Sequence, residues 1–375
     1  MLKAKRIMIA AGGTGGHINP ALSVAAYIRE QNPTAEILFV GTADKMEAKL
    51  VPQAGFDIRM IDISGFLREI SLEGLKHNLK TVVKMFRSSS QAKKIIEDFK
   101  PELAIGFGGY VSGPVIRMAA KMGVPTAIHE QNAFPGVTNK ALAKTVDSVM
   151  LASEAAEKYL EPKNPCTVTG LPVRAEFFSA DKATSRLELG VDSRPLILSS
   201  GGSLGAAPIN RAIVELIAAR APKGDCVFIH ATGHNGTWVA DELRERGVDP
   251  DKFENVIIRE YIDDMSRCMA ACDVFINRAG ASTISEIEAL GKPSVLIPSP
   301  YVAENHQYHN AMTLVEKNAA VVIEEKDLTG ERLITEIDNL LADRAELEKM
   351  GENAHSMCVD DATQRIYECI SSLVG

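Results

Sequence analysis

The sequence predicts an α/β protein with two doubly wound parallel-sheet domains, and three observations predict it. Three glycine-rich turns each follow a short apolar run. Gly12-Gly13-Thr14-Gly15-Gly16 follows Ile7–Ala11, Gly106-Phe107-Gly108-Gly109 follows Leu103–Ile105, and Gly201-Gly202-Ser203-Leu204-Gly205 follows Leu196–Leu198. Short β-branched runs alternate with longer helix-like stretches, the pattern of βαβ units whose sheet is covered on both faces. The 375 residues also exceed what one core usually holds, roughly 250–300 residues.

Taken in order, each glycine turn is followed by a proline (Pro20, Pro114 or Pro208) and then a helical stretch. Proline suits the first helical turn, where its missing N–H would be unpaired anyway. Strand, glycine turn and helix N-terminus therefore recur three times. This geometry aims backbone N–H groups and the positive end of a helix dipole at an anion. Ile37–Val40, Thr126–Ile128 and Ser148–Leu151 are further strands of the first half. Val227–His230, Val256–Ile258, Val274–Ile276, Ser294–Ile297 and Ala320–Ile323 belong to the second. The pattern restarts at the third turn, and Gly170-Leu171-Pro172-Val173 interrupts the periodicity as a linker. The expected domains are 1–171 and 172–359. Ala362, Ile366, Cys369, Ile370 and Leu373 then recur at helical spacing, which marks a last amphipathic helix over about 360–375.

Composition narrows the function. Forty-one basic residues against 49 acidic give a net charge of −8, which argues against nucleic acid as a general partner. The six cysteines are dispersed apart from Cys268 and Cys272, and no His/Cys cluster completes a metal site. They read as reduced, packed thiols. The basic start and the apolar run up to Gly12 are too short for a signal peptide, and nothing approaches the ~18 apolar residues of a spanning helix. A soluble, cytoplasmic-type chain is expected.

A dinucleotide fold would place an acidic residue at the end of the second strand for a ribose. Ile37–Val40 runs into Gly41-Thr42, with Asp44 beyond the expected place, and Val227–Ile229 runs into His230-Ala231-Thr232. A Walker A loop is absent as well. What remains is phosphate binding in two crevices, a donor nucleotide in one and another phosphorylated ligand in the other. Ser71–Arg87 adds Leu72, Leu75, Leu79, Val82, Val83 and Phe86 at helical spacing beside Lys76, Lys80, Lys84 and Arg87. Such a stretch is either a membrane-surface helix or a core-facing helix with a solvated lysine face.

Seven ordered motifs carry a resemblance: GGTGGH at Gly12–His17, GFGGYVSGP at Gly106–Pro114, HEQN at His129–Asn132, LPVR at Leu171–Arg174, GGSLGAAPIN at Gly201–Asn210, NRAGASTISE at Asn277–Glu286 and ENHQY at Glu304–Tyr308. In this order and spacing the chain closely resembles the MurG family of bacterial glycosyltransferases. The resemblance implies the GT-B fold: two Rossmann-like domains facing a cleft, with the last helix returning to the first domain. It implies inverting transfer of N-acetylglucosamine from UDP-N-acetylglucosamine to lipid I, undecaprenyl-pyrophosphoryl-N-acetylmuramoyl-pentapeptide, giving lipid II for the cell wall. The nucleotide sugar is then a substrate and no cofactor is called for. The implied place is the cytoplasmic face of the cell membrane, bound peripherally to an anionic surface through Leu75, Lys76, Leu79, Lys80, Lys84 and Phe86. The rival readings are another GT-B transferase, a UDP-sugar epimerase that turns over without an acceptor, and a binding module that shows no transfer.

The resemblance also distributes roles. Ser203 would hold the donor phosphate, a role compatible with capping the third helix. Arg174 would stabilise the departing diphosphate, which could make a metal cation unnecessary. Glu286 would accept from the ribose hydroxyls, although Thr283-Ile284-Ser285-Glu286 also fits a capping box. Ala281, Ser282 and Thr283 would border the nucleotide, Ile262 would meet the uracil through its backbone, and Gln307 would contact the donor sugar. His306 stands where the family often has a second glutamine. In the first domain, Thr14, Gly15 and Gly16 would lie near a diphosphate, Gly108, Gly109 and Tyr110 near the acceptor pyrophosphate, and Asn132 near the acetamido sugar. Deprotonating a sugar hydroxyl calls for a group that titrates near neutrality. His17 is the candidate base, with His129 and Glu130 as rivals.

Overall fold

The structure, a computed structural model, describes residues 2–63 and 72–375; of residues 72–83, 85 and 86 it describes the backbone alone. The chain divides into two compact units. Unit 1 comprises Met1–Pro172 with Asp361–Gly375, and unit 2 comprises Val173–Asp360.

Unit 1 alternates strand and helix: β1 (Arg6–Ala10), α1 (Gly15–Gln31), β2 (Glu36–Gly41), α2 (Glu47–Gln53), β3 (Asp57–Met60), α3 (Leu72–Phe99), β4 (Leu103–Gly106), α4 (Gly109–Lys121), β5 (Thr126–Glu130), α5 (Val137–Ala143), β6 (Ser148–Leu151) and β7 (Thr167–Val168). The sheet order is β3-β2-β1-β4-β5-β6-β7, and every pairing is parallel. β1, β4 and β5 are buried along nearly their whole length because helices cover both faces. β3 and β7 carry no apolar run and lie at the two edges, which is why periodicity misses them.

Unit 2 repeats the plan: α6 (Ala175–Ser179), α7 (Lys182–Leu189), β8 (Leu196–Ser200), α8 (Ala207–Arg220), β9 (Val227–Ala231), α9 (Val239–Glu245), β10 (Val256–Arg259), α10 (Met265–Ala271), β11 (Val274–Asn277), α11 (Ala281–Leu290), β12 (Ser294–Leu296), α12 (His306–Val315), β13 (Val321–Val322), α13 (Gly330–Ala342) and α14 (Arg344–His355). Its parallel order is β10-β9-β8-β11-β12-β13. In both units the strand order reverses beside the first strand, between β1 and β4 and between β8 and β11. Open α/β sheets bind ligands at such switch points, outside the carboxyl ends of the strands. All three glycine turns sit there.

The closing helix, α15 (Ala362–Ser372), packs on α1 within unit 1. Ile366, Tyr367 and Ile370 enter the core around Ala25, Ile28 and Leu103, and Tyr367 stacks edge-on against Tyr27. Leu2 N–H donates to the Tyr367 hydroxyl (3.1 Å).

The proline expectation holds for one turn of three. Pro208 lies in the first turn of α8. α1 and α4 begin at the glycines themselves, so Pro20 and Pro114 fall inside them, where each withholds the N–H that a carbonyl one turn earlier would accept. The amphipathic basic stretch falls in α3. The side chains of Leu75, Lys76, Leu79, Lys80 and Phe86 lie outside the described residues. Lys84 is described and pairs with Asp62 (2.9 Å). The later part of α3 is ordinary core, with Ala92, Ile95 and Ile96 packed under the sheet. Among the described residues no helix is long and apolar enough to cross a membrane.

Candidate functional site

In unit 1 the first turn is built around a carboxylate that periodicity does not flag. Glu47, at the start of α2, is fully buried. Its Oε2 accepts from Gly13 N–H (3.0 Å), and its Oε1 accepts from Thr42 N–H (3.0 Å) and the Thr42 hydroxyl (2.7 Å). A Cβ on Gly12 would stand 2.6 Å from Glu47 Oε1, so only glycine fits there. The Gly13 amide is thereby committed inside the protein and does not serve a ligand phosphate. The first-turn amides of α1 at this turn are those of Gly15 and Gly16.

The second turn seats on the first. Gly109, at φ +77°, approaches so closely that a Cβ would lie 2.3 Å from the Gly12 carbonyl oxygen. Gly108, at φ +89°, faces the His17 ring, and a Cβ there would stand 3.1 Å from Nε2. His17 Nδ1 lies 3.2 Å from both the Gly12 carbonyl and the Thr14 hydroxyl. A carbonyl only accepts, so Nδ1 carries the hydrogen and Nε2 is the basic nitrogen of the neutral ring. Thr14, Gly15, Gly16, His17, Gly108 and Gly109 thus come together at the switch point, with Tyr110 exposed beside them.

The two rival bases are held differently. His129 is fully buried against the Phe107 ring; its Nε2–H donates to the Gly170 carbonyl (2.9 Å) and its Nδ1 accepts from the Gln131 amide (3.3 Å). Burial pushes it down to about 4. Glu130, also buried, accepts at both oxygens, from Asn132 N–H and side chain, Gly136 N–H and Asn139. Both residues shape the loop that presents Asn132. The His17 ring, by contrast, is only half-buried. Gln131, unremarked in the sequence, points its buried Oε1 toward Gly108 without a hydrogen-bond partner.

In unit 2 the third turn closes on glycine rather than on a carboxylate. A Cβ on Gly205 would stand 2.2 Å from the Thr232 carbonyl oxygen. The Ser203 and Leu204 carbonyls accept from His234 and Asn235 N–H (3.2 and 3.0 Å), which leaves both side chains facing solvent. Ser203 is not the cap of α8: that helix starts at Ala207, after Ala206. The capping box fails for the same kind of reason. α11 starts at Ala281 after Gly280, so Thr283 is its third residue and Glu286 its sixth.

Ala281, Ser282 and Thr283 form the first turn of α11, at the switch point beside the third turn. Glu286 follows one turn later, half-buried. Desolvation pushes its carboxyl up to about 7, Glu176 adds to the push, and the Arg174 guanidinium opposes it. Arg174 itself is exposed at the head of α6, paired with Glu176 (2.9 Å) and 5.1 Å from the Phe177 ring centre. Ile262 is buried in the core, so only its backbone could meet a ligand. Gln307 Oε1 accepts from Ser299 N–H (2.9 Å), and His306 turns its Nδ1 to the Ala303 carbonyl (2.8 Å). Just before them Glu304 and Asn305 both hold positive φ, +56° and +50°, a strained entry of the kind that clusters at functional sites. Among the described residues no three His, Cys, Asp or Glu side chains gather as a metal-holding group.

The comparisons with known proteins fit this arrangement unit by unit. The glycosyltransferase family 28 N-terminal domain matches residues 7–151, and the family 28 C-terminal domain matches residues 196–366. The chain is 46% identical over 372 residues to the UDP-N-acetylglucosamine–N-acetylmuramyl-(pentapeptide) pyrophosphoryl-undecaprenol N-acetylglucosamine transferase of Acetivibrio thermocellus, covering 98% of each chain. It is 41% identical to the transferase of the same name from Desulforamulus reducens, over 98% of this chain and 99% of that one. The crystal structure of Acinetobacter baumannii MurG superposes with a TM-score of 0.79 at 26% identity, over 98% and 99% of the two chains. A UDP-GlcNAc 2-epimerase from Neisseria meningitidis, at 14% identity and a TM-score of 0.65 over 97% and 99%, shares the fold alone. Each unit has the Rossmann-like parallel sheet of a GT-B protein, and the chain belongs to the MurG family within glycosyltransferase family 28.

Proposed function

We propose that the protein is an inverting glycosyltransferase that moves N-acetylglucosamine from UDP-N-acetylglucosamine to the C4 hydroxyl of the N-acetylmuramoyl group of lipid I, forming lipid II in peptidoglycan synthesis. The observation that carries this reading is the chain-long identity to transferases named for that reaction.

The residues divide the work. The acceptor hydroxyl gives its proton to His17 Nε2 while its oxygen bonds to C1 of the donor sugar. The bond from C1 to the β-phosphate oxygen breaks on the opposite face, and its electron pair leaves with UDP. Negative charge builds on that diphosphate, where Arg174 and the Ser203 turn stabilise it. Glu286 and the first turn of α11 hold the nucleoside, with Ile262 and Gln307 toward base and sugar. Gly108, Gly109, Tyr110 and Asn132 serve the acceptor. His129 and Glu130 shape that loop.

The acceptor's polyprenyl chain calls for peripheral binding at the cytoplasmic face of the membrane, and the lysine-bearing stretch Ser71–Arg87 is the segment of sequence suited to it. Each lysine near anionic lipid contributes about 1 kcal/mol. Replacing Lys76, Lys80 and Lys84 with glutamate abolishes binding to anionic vesicles; unchanged binding would sink this part. The reaction is tested by mixing the protein with UDP-N-acetylglucosamine and a lipid I analogue. UDP release must depend on the analogue, whereas acceptor-independent turnover would favour an epimerase.

A further inference from the structure

We propose that Glu47 is a positioning residue for the transfer, acting through the Gly12 carbonyl on the tautomer and placement of the His17 imidazole. The inference rests on His17 being the base.

The argument starts from cost. A fully buried carboxylate is expensive, and an apolar side chain at the start of α2 would be cheaper. Glu47 is nevertheless built in on every side. Its two oxygens take three donors, Gly13 N–H, Thr42 N–H and Thr42 Oγ1–H. Two glycines make room for it: a Cβ on Gly12 would stand 2.6 Å from its Oε1, and one on Gly41 would stand 2.6 Å from its Cγ. These contacts fix the Gly12–Gly13 peptide, and the next link is direct. The Gly12 carbonyl accepts from His17 Nδ1–H and also carries the close approach of Gly109. A carboxylate is needed because, at this fully buried position, an amide would turn an N–H toward one of the three donors. The hydrogen on Nδ1 is what makes Nε2 basic, so the chain of contacts ends on the reacting nitrogen.

A double-mutant cycle tests this in the full-length protein, with UDP-N-acetylglucosamine and the lipid I analogue as substrates. Glu47→Gln lowers kcat by roughly tenfold or more, since small displacements of a catalytic group have effects of that size. KM for UDP-N-acetylglucosamine and calorimetric affinity for UDP stay within about twofold, because the donor residues are in unit 2. In a His17→Ala background, the same substitution changes the residual rate by less than about twofold, because the group it positions is gone. If Glu47→Gln destabilises the fold, Thr42→Val, which removes only the hydroxyl donor, carries the same cycle with a smaller effect. Equal factors in both backgrounds, or a full rate in Glu47→Gln, would overturn this inference alone. A full rate in His17→Ala would overturn the base assignment and this inference together.

Discussion

The first and third glycine turns occupy equivalent places in their units, each after the first strand at a reversal of strand order, yet they are stabilised in different ways. The first encloses a carboxylate, Glu47, and commits the Gly13 amide to it. The third encloses nothing charged. It closes by glycine against backbone, Gly205 on Thr232 and Gly233, and leaves Ser203 in solvent. An anion-binding turn already holding an internal anion is a poor phosphate cradle and a good mount for a histidine. The same motif grammar thus yields a turn built around a buried carboxylate in one unit and a turn closed on backbone in the other.

The comparison breaks most visibly at the chemistry. His17→Ala lowers kcat by about 10²–10⁴-fold with UDP affinity unchanged, measured by UDP release and calorimetry. Arg174→Ala lowers kcat by about 10²–10³-fold, since it removes charge stabilisation from the leaving group. A loss confined to KM would place the arginine in ground-state binding instead. Ser203→Ala costs about tenfold in kcat/KM for the donor, the scale of one hydrogen bond to a charged group. If it altered the acceptor KM instead, the division of labour between the turns would be wrong.

Stability and pH sharpen the contrast at smaller amplitude. Gly205→Ala lowers the unfolding temperature by roughly 5 °C, because it adds a Cβ at positive φ against a backbone oxygen. Glu286 and Glu288 make a matched pair on α11, pushed up to about 7 and about 8 by burial. Each carboxyl holds its proton more tightly when folded. Its stabilising contribution is therefore present at low pH and lost as pH rises from the ordinary 4.5 through the raised value. Glu286→Gln and Glu288→Gln both raise the unfolding temperature at pH 8.5 and leave it nearly unchanged at pH 4. Only Glu286→Gln weakens UDP, and in the unaltered protein the donor KM rises as pH falls below about 7. The smallest effect belongs to the buried pair His129 and His230, both held near 4 by burial. Unfolding exposes rings that take up protons, so stability falls as pH drops from 6.5 toward 4, and His129→Gln flattens that slope in a thermal titration.

The sequence was legible where one local rule decides. β6 runs over Ser148–Leu151 as its apolar run predicts, and the three glycine turns lie where strands end. It was illegible where a tertiary contact decides. Pro20 reads as a helix start, but α1 begins five residues earlier because the Gly15–Gly16 backbone accepts helical geometry directly from the turn. Thr283 and Glu286 have the spacing of a capping box, but Gly280 takes the cap position. Glu47 lies past Asp44, itself beyond the place where a dinucleotide fold keeps its ribose acid, so that rule does not flag it. Its carboxylate turns inward to the first loop, and spacing alone does not report that direction. His129 and Glu130 look as reactive as His17 on paper, and only burial and hydrogen bonding separate them.

The return of α15 to unit 1 also has a consequence for the order of biosynthesis. Residues up to Pro172 emerge from the ribosome first, but Ile366, Tyr367 and Ile370, which finish their core, follow after all of unit 2. At 5–20 residues per second, the intervening roughly 190 residues take about 10–40 s to synthesise. During that interval the nascent first unit presents the apolar face around Tyr27 and Ile28, so the core of unit 1 is completed only after unit 2 has been translated.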